Sequence, residues 1–344
     1  MKSPLIILLF VLFVATGSLL LDGCRKTPVP ETTPVPFVVP AGFPQPAQNV
    51  AANAITEQGF RLGKRIFFDH HLSADGHVSC GSCHQPLAAF TTFEHDRSHG
   101  VNNTHTFRNA PGIFNMAWYR EFFQDGSAPN LETVYKTHFT GATEMGESMQ
   151  NILRKLDHDK EYRPLFQAAF GSQLISEERV YKALSQYVLS LVSANSKYDK
   201  VKRGEATFSA TESAGYAVFQ AKCGSCHAEP LFTDFSYRNV GLELDPQLRD
   251  FGRMRVTGNR SDSLKFRVPS LRNSEFTSYY THDGRMSVFR MMLRHYRFSV
   301  NASPSLDPQL ANGIPLTNTE EDQVVAFIRT LNDTAFVNNP RFRQ

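Results

Sequence analysis

Cys80-Gly81-Ser82-Cys83-His84 and Cys223-Gly224-Ser225-Cys226-His227 are the same pentapeptide, occurring twice and 143 residues apart. C-x-x-C-H is the attachment sequence of a c-type haem. Two thiols a helical turn apart reach the two vinyl groups of one porphyrin. The histidine that follows is carried beneath the iron with a ring nitrogen free to bind it. Half of a zinc site is the alternative, and zinc requires a second ligand pair near each motif. The one remaining cysteine, Cys24, is near neither. The sequence therefore predicts two covalent haems, one on Cys80, Cys83 and His84, the other on Cys223, Cys226 and His227.

The rest of the composition fits that reading. A chain of 344 residues has room for a leader and two domains of ordinary size. Its 36 basic against 33 acidic residues leave no charge excess to suggest a nucleic-acid partner. Haem attachment of this kind follows export, which places the body outside the cytoplasm. The leader agrees: Met1-Lys2 is a basic start and residues 4–21 are a nearly unbroken apolar run. Leu21-Asp22-Gly23-Cys24 resembles a bacterial lipoprotein cleavage site, although Asp22 is untypical within it. The expectation is a signal peptide over 1–23 and a lipid on Cys24 that holds the protein to a membrane surface on the periplasmic side. An uncleaved anchor with Cys24 a free thiol is the alternative. Seven prolines between 28 and 46 read as a stiff, extended spacer, so residues 24–50 are expected to form a tether.

Beyond the tether the periodicity is helical. Patterns at residues 54–69, 146–156, 161–170 and 176–194 precede a polar stretch at 195–204, and patterns at 211–222, 287–296 and 317–331 follow it. No run alternates with period two. The fold is expected to be mainly α, with two tandem cytochrome c-type haem domains over 51–195 and 196–344. The stretch 90–109 has no period, and its His99 offers either a surface histidine or a sixth ligand for the first haem.

With both haem motifs in hand, the stretches between them resemble the bacterial di-haem cytochrome c peroxidases, a family that includes the MauG-type enzymes acting on a partner protein. The matching residues are Arg108-Asn109-Ala110-Pro111, Asp125-Gly126, Glu144-Met145, Gly252-Arg253, Val268-Pro269-Ser270-Leu271-Arg272-Asn273 and His282-Asp283-Gly284. The resemblance implies that hydrogen peroxide reacts at the first haem and that electrons enter through the second from a small donor cytochrome. It also implies calcium between the haems, on Asn109 and on backbone carbonyls near Thr277 and Tyr279, whose oxygens suit that ion. The family's distal glutamate falls on Glu144, which would move a proton between the two peroxide oxygens. Members of the family are often homodimers.

The departures from the family are as informative. Val101 stands where activation-dependent members place a displaceable histidine, which predicts a five-coordinate first haem; His99 would replace it only through a two-residue loop shift. Gln124 replaces the inter-haem tryptophan, with Trp118 and Tyr119 nearby in sequence. His138 replaces a usual proline, which makes it a candidate acid–base group in the distal pocket. Tyr296 lies fourteen residues after His282, where a methionine ligand of the second haem is usual. A tyrosinate there would stabilise ferric and higher iron states, while Met286, Met291, Met292 and His295 compete for the position. Three functions follow: a peroxidase, a MauG-type oxidase of a partner protein, or a non-enzymatic electron carrier.

Overall fold

The computed structural model describes residues 31–344. The expected signal peptide and Cys24 lie outside the described residues. The remainder, from Thr32 to Gln344, holds together as one unit built from two hydrophobic clusters. Among the described residues there are twelve α-helices, several single 3-10 turns, and one antiparallel pair in which β1 (Tyr237–Arg238) meets β2 (Phe266–Arg267). None of these helices is long and apolar enough to cross a membrane.

The first cluster is organised by α1 (Glu57–Phe68). Thr56 caps it through Gly59 N, and Phe60, Leu62, Ile66 and Phe67 face inward. Short α2 (Cys80–Cys83) follows and carries the first pentapeptide. Then come α3 (Leu131–Thr140), α4 (Met149–His158), α5 (Tyr162–Phe170) and α6 (Glu177–Leu189). Helices α1 and α6 cross at Gly63, where any side-chain carbon would sit 2.0 Å from the Ala183 carbonyl. The second cluster repeats that device. Its α7 (Lys197–Lys202) precedes α8 (Ala210–Lys222), which delivers the second pentapeptide. After α9 (Met254–Thr257) and α10 (Phe289–Phe298) comes α11 (Asn318–Arg329), which crosses α8 at Gly215. A Cβ there would lie 1.9 Å from the Gln323 carbonyl. Phe219, Phe232 and Phe327 fill the space beneath.

Two stretches depart from the expected layout. The proline-rich segment does not stand off as a spacer from residue 33 onward. Val35 N donates to Ile55 O (2.9 Å), Gln48 N to Ala117 O (2.9 Å), and Trp118 Nε1 to Pro44 O (2.8 Å). Phe43 packs edge-on to Trp118, so two buried aromatics hold a backbone that already costs little entropy to order. The chain end also crosses over. Phe336 and Val337 of α12 (Thr334–Val337), with Phe342, join the first cluster, and Tyr187 Oη donates to Phe342 O at 2.7 Å. A cut after residue 195 therefore separates groups that pack together.

Candidate active site

Each pentapeptide folds so that its histidine is ready to bind a metal. The ring of His84 is buried, and its Nδ1 donates to Phe90 O at 2.9 Å, leaving Nε2 with a free lone pair. Burial and the neighbouring His138 push its pKa down to about 4, against the upward pull of the Phe90 and Pro111 carbonyls. It is neutral, as a ligand must be. His227 is held the same way: its Nδ1 faces Phe232 O at 3.2 Å and Pro269 O at 3.1 Å, and burial lowers its pKa. The two cradles match. Phe90 and Phe232 both adopt left-handed backbone (φ 61° and 55°), which turns each carbonyl back toward the ring. Burial raises the thiols of Cys80 and Cys223 to about 12 and Cys83 to about 11. Cys226 is raised by burial too. All four are free thiols, placed where thioether sulphurs would stand. Two thiols, one neutral imidazole with an open Nε2 and an aromatic wall form a donor set that fits haem c, twice.

Facing the first of these sets are Glu144 and His138. Helix α3 brings His138 in from its last turn, and the turn that follows brings back Glu144. Glu144 Oε2 accepts from His138 Nδ1. The imidazoles of His138 and His84 have centroids 6.3 Å apart, and Phe123 stands perpendicular to His138 at 5.4 Å. Burial works against both charges of the pair, but each partner outweighs it: His138 is raised by Glu144, and Glu144 is lowered by His138 and His84. The structure thus unites Glu144, His138, Cys80, Cys83 and His84. His99 is not among them. Its Nδ1 pairs with Asn103 Oδ1 at 2.7 Å, and its ring lies between those of His95 and His105. Val101 is buried, donates to Glu144 O (2.8 Å) and packs close to Gly146, an apolar part of the same wall.

At the second set, Tyr296 reaches from α10 to lie beside Cys223 and Cys226. Burial and those thiols raise its phenol strongly, and no donor or acceptor is bonded to it among the described residues. Two competitors are occupied elsewhere. His295 Nε2 donates to Val240 O at 2.8 Å, and exposed Met291 has its sulphur against Ser287 Oγ.

Between the sets, the remaining motifs form a polar seam. Arg108 donates to Asp250 Oδ2 (2.6 Å) and Oδ1 (2.9 Å) and to Asp125 Oδ2 (2.8 Å). Gly126 sits so close to Tyr237 that a Cβ would meet its hydroxyl at 2.1 Å. Asn109 N donates to His282 O (2.9 Å) and its Nδ2 to Asp96 O (2.8 Å). Thr277 Oγ1 donates to Thr92 O (3.1 Å), and Tyr279 takes φ 63°. Asn109 and Thr277 are thus tied to the one loop over 92–96. Gln124 Nε2 donates to Asn109 O at 3.2 Å, while its Oε1 is a buried acceptor without a partner. Trp118 faces Phe37 and Phe43 instead of this seam, but Tyr119 lies in it, under Arg267 and edge-on to Phe235. Sequence reasoning missed the Phe90 and Phe232 carbonyls, Asp250 and Arg267. Of these only Asp250 carried a signal, an acid two residues before Gly252-Arg253.

The family described as "Di-haem cytochrome c peroxidase" matches residues 57–207. Methylamine utilization protein MauG of Methylophilus methylotrophus is 31% identical over 293 residues, covering 83% of this chain and 85% of that one. Cytochrome c551 peroxidase of Nitrosomonas europaea is 31% identical over 275 residues, 78% of each. A crystal structure of a MauG-like protein associated with microbial copper homeostasis superposes with a TM-score of 0.80 at 30% identity, covering 90% of this chain and 98% of that one.

Proposed function

The chain belongs to the di-haem cytochrome c peroxidase family, and from that premise we propose that it reduces hydrogen peroxide to water with electrons from a small redox protein. The proposal includes two tandem haem domains, and a lipid on Cys24 that tethers them on the periplasmic side. The observation that carries the reaction is the Glu144–His138 pair set against His84 beside Cys80 and Cys83. The haem on that set would supply the iron redox chemistry of O–O cleavage, and the haem on Cys223, Cys226 and His227 the route by which electrons arrive. The protein's own part is proton handling. Held ionised by His138, Glu144 takes a proton from one peroxide oxygen and gives it to the other. Two electrons and two protons per peroxide yield two waters. Calcium in the seam is part of the proposal: Asn109 and the Thr277 and Tyr279 carbonyls are oxygen donors, and Gln124, whose Nε2 donates to Asn109 O, has an orphaned Oε1 of the kind a hard cation takes.

Tyr296 favours a second reading, in which oxidising equivalents are spent on a partner protein. An unbonded phenol over the second attachment site suits a ligand that holds iron in its oxidised states. Mixing the haem-loaded protein with peroxide and a reduced small cytochrome c separates the two. Two cytochromes oxidised per peroxide, catalytically, supports the peroxidase. Peroxide consumed without cytochrome oxidation, together with a changed residue mass in a second protein, favours the other.

A further inference from the structure

We infer that His138 is the axial ligand opposite His84 in the resting oxidised protein, and that Glu144 is the carboxylate fixing its tautomer. The inference rests on a haem being held by Cys80, Cys83 and His84, and it changes what His138 does in the proposed reaction.

Distance decides between a ligand and a proton donor. An imidazole nitrogen bonds a metal at about 2.0–2.1 Å, and the ring centroid lies about 1.1 Å behind it, so two imidazoles sharing one metal have centroids about 6.2–6.4 Å apart. The His84 and His138 centroids are 6.3 Å apart. A histidine serving as proton donor stands further back, by the room of a small substrate and one hydrogen bond of about 2.8 Å, which opens the separation to about 8 Å or more. The observed separation matches the first spacing and is shorter than the second.

The hydrogen bonds agree with the distance. His84 spends Nδ1 on Phe90 O and His138 spends Nδ1 on Glu144, so Nε2 is the nitrogen each ring has left for a metal, and binding there displaces any second proton on His138. A carboxylate on the far nitrogen of a metal-binding histidine orients the ring and raises its basicity. The interplanar angle of 71° is no obstacle, because two ligands on one axis rotate independently. The phenyl ring of Phe123, perpendicular to His138, limits that rotation from one side. The helix α3 histidine thus takes the place that Val101, on the loop, cannot fill. Peroxide reaches the site only when the His138 ring swings aside, and Glu144 is left in place to receive it.

The test uses the full-length, haem-loaded, oxidised protein and reads the iron spin state by electron paramagnetic resonance and visible absorption. His138→Gly should gain one haem-equivalent of high-spin ferric iron over the parent. Added imidazole should reverse the gain, and a far-ultraviolet circular dichroism spectrum and thermal midpoint close to the parent's exclude misfolding as its source. A parent whose first haem is already high-spin, or a His138→Gly variant with no gain, would overturn the assignment. Peroxide turnover by the pre-reduced parent is measured alongside. Turnover with a high-spin resting haem sinks the ligand and leaves the peroxidase; His138-dependent low-spin iron without turnover does the reverse.

Discussion

Glu144 is the residue on which proton transfer turns, and its environment is built to keep it charged. Burial alone would raise its pKa; His138 and then His84 bring it below the ordinary carboxylate range. Glu144→Gln keeps the shape and the contact to His138 but removes the base. Peroxide-dependent oxidation of a reduced cytochrome should fall by about 10²–10⁴-fold, with both haems still incorporated by absorbance. Equal turnover in the variant would take Glu144 out of the chemistry. Tyr296 supports a second prediction. An anionic phenolate favours ferric iron, so Tyr296→Phe should raise the reduction potential of the second haem in a spectroelectrochemical titration. An unmoved potential would return Tyr296 to the role of a core aromatic on α10. The attachment residues were legible because their chemistry demands contiguity. The carbonyls that orient His84 and His227 were not, because any residue has a carbonyl, and only the left-handed turns at Phe90 and Phe232 aim them.

At the scale of elements, most of the helices announced themselves through apolar spacing, and α1, α5, α6, α8 and α11 fall within a few residues of their expected bounds. Helix α3 did not, and it carries His138. Its sequence, Leu131-Glu132-Thr133-Val134-Tyr135-Lys136-Thr137-His138-Phe139-Thr140, is rich in β-branched residues, which lose side-chain freedom in a helix. Only Leu131, Tyr135 and Phe139 are buried, a stripe with a spacing of four. That stripe and Asn130, which caps Thr133 N at 2.9 Å, were the available signals. Helix α7 lies within the polar stretch 195–204, which shows no apolar spacing and reads as a domain boundary, although Ser196 and Asp199 form a capping box. The glycines at the helix crossings explain why α8 and α11 approach so closely. Gly215→Ala gains up to about 1 kcal/mol of helix propensity, but drives a methyl into the Gln323 carbonyl, an overpacking that costs about 1–3 kcal/mol or more. The expected outcome is a lower thermal midpoint for the haem-loaded protein. A midpoint equal to or above the parent's would show that α8 and α11 can separate freely.

At the scale of the whole molecule, buried ion pairs join elements far apart in sequence. Arg272, 1% exposed, grips Asp199 through two bonds (2.7 and 2.9 Å) and donates to Pro230 O. Arg272→Met strands the Asp199 carboxylate in the interior and should cost about 3–5 kcal/mol. Chemical denaturation at pH 7 would read this as an earlier midpoint, and an unchanged midpoint would mean that water replaces the guanidinium.

Arg108 does the same work in the seam, bonded to Asp125 and to the nearly inaccessible Asp250. Burial opposes the charge of Asp250, but Arg108 outweighs it, and the same balance lets Arg272 lower Asp199. Both folded pKa values therefore lie below the unfolded value of about 3.9. A carboxyl lowered in this way stabilises the fold fully above its unfolded pKa, and that contribution fades as pH falls through the folded value. Stability from these two groups should be flat between pH 7 and 5 and drop below about pH 4. Asp250→Asn leaves an amide that still accepts one hydrogen bond, so a loss of about 1–3 kcal/mol is expected at pH 7. Because the variant has already lost what acid would take, its thermal midpoint should fall less steeply than the parent's between pH 5 and 3. Parallel curves would mean that the acid response comes from other carboxylates, and that the Arg108 seam holds the molecule together without setting its acid limit.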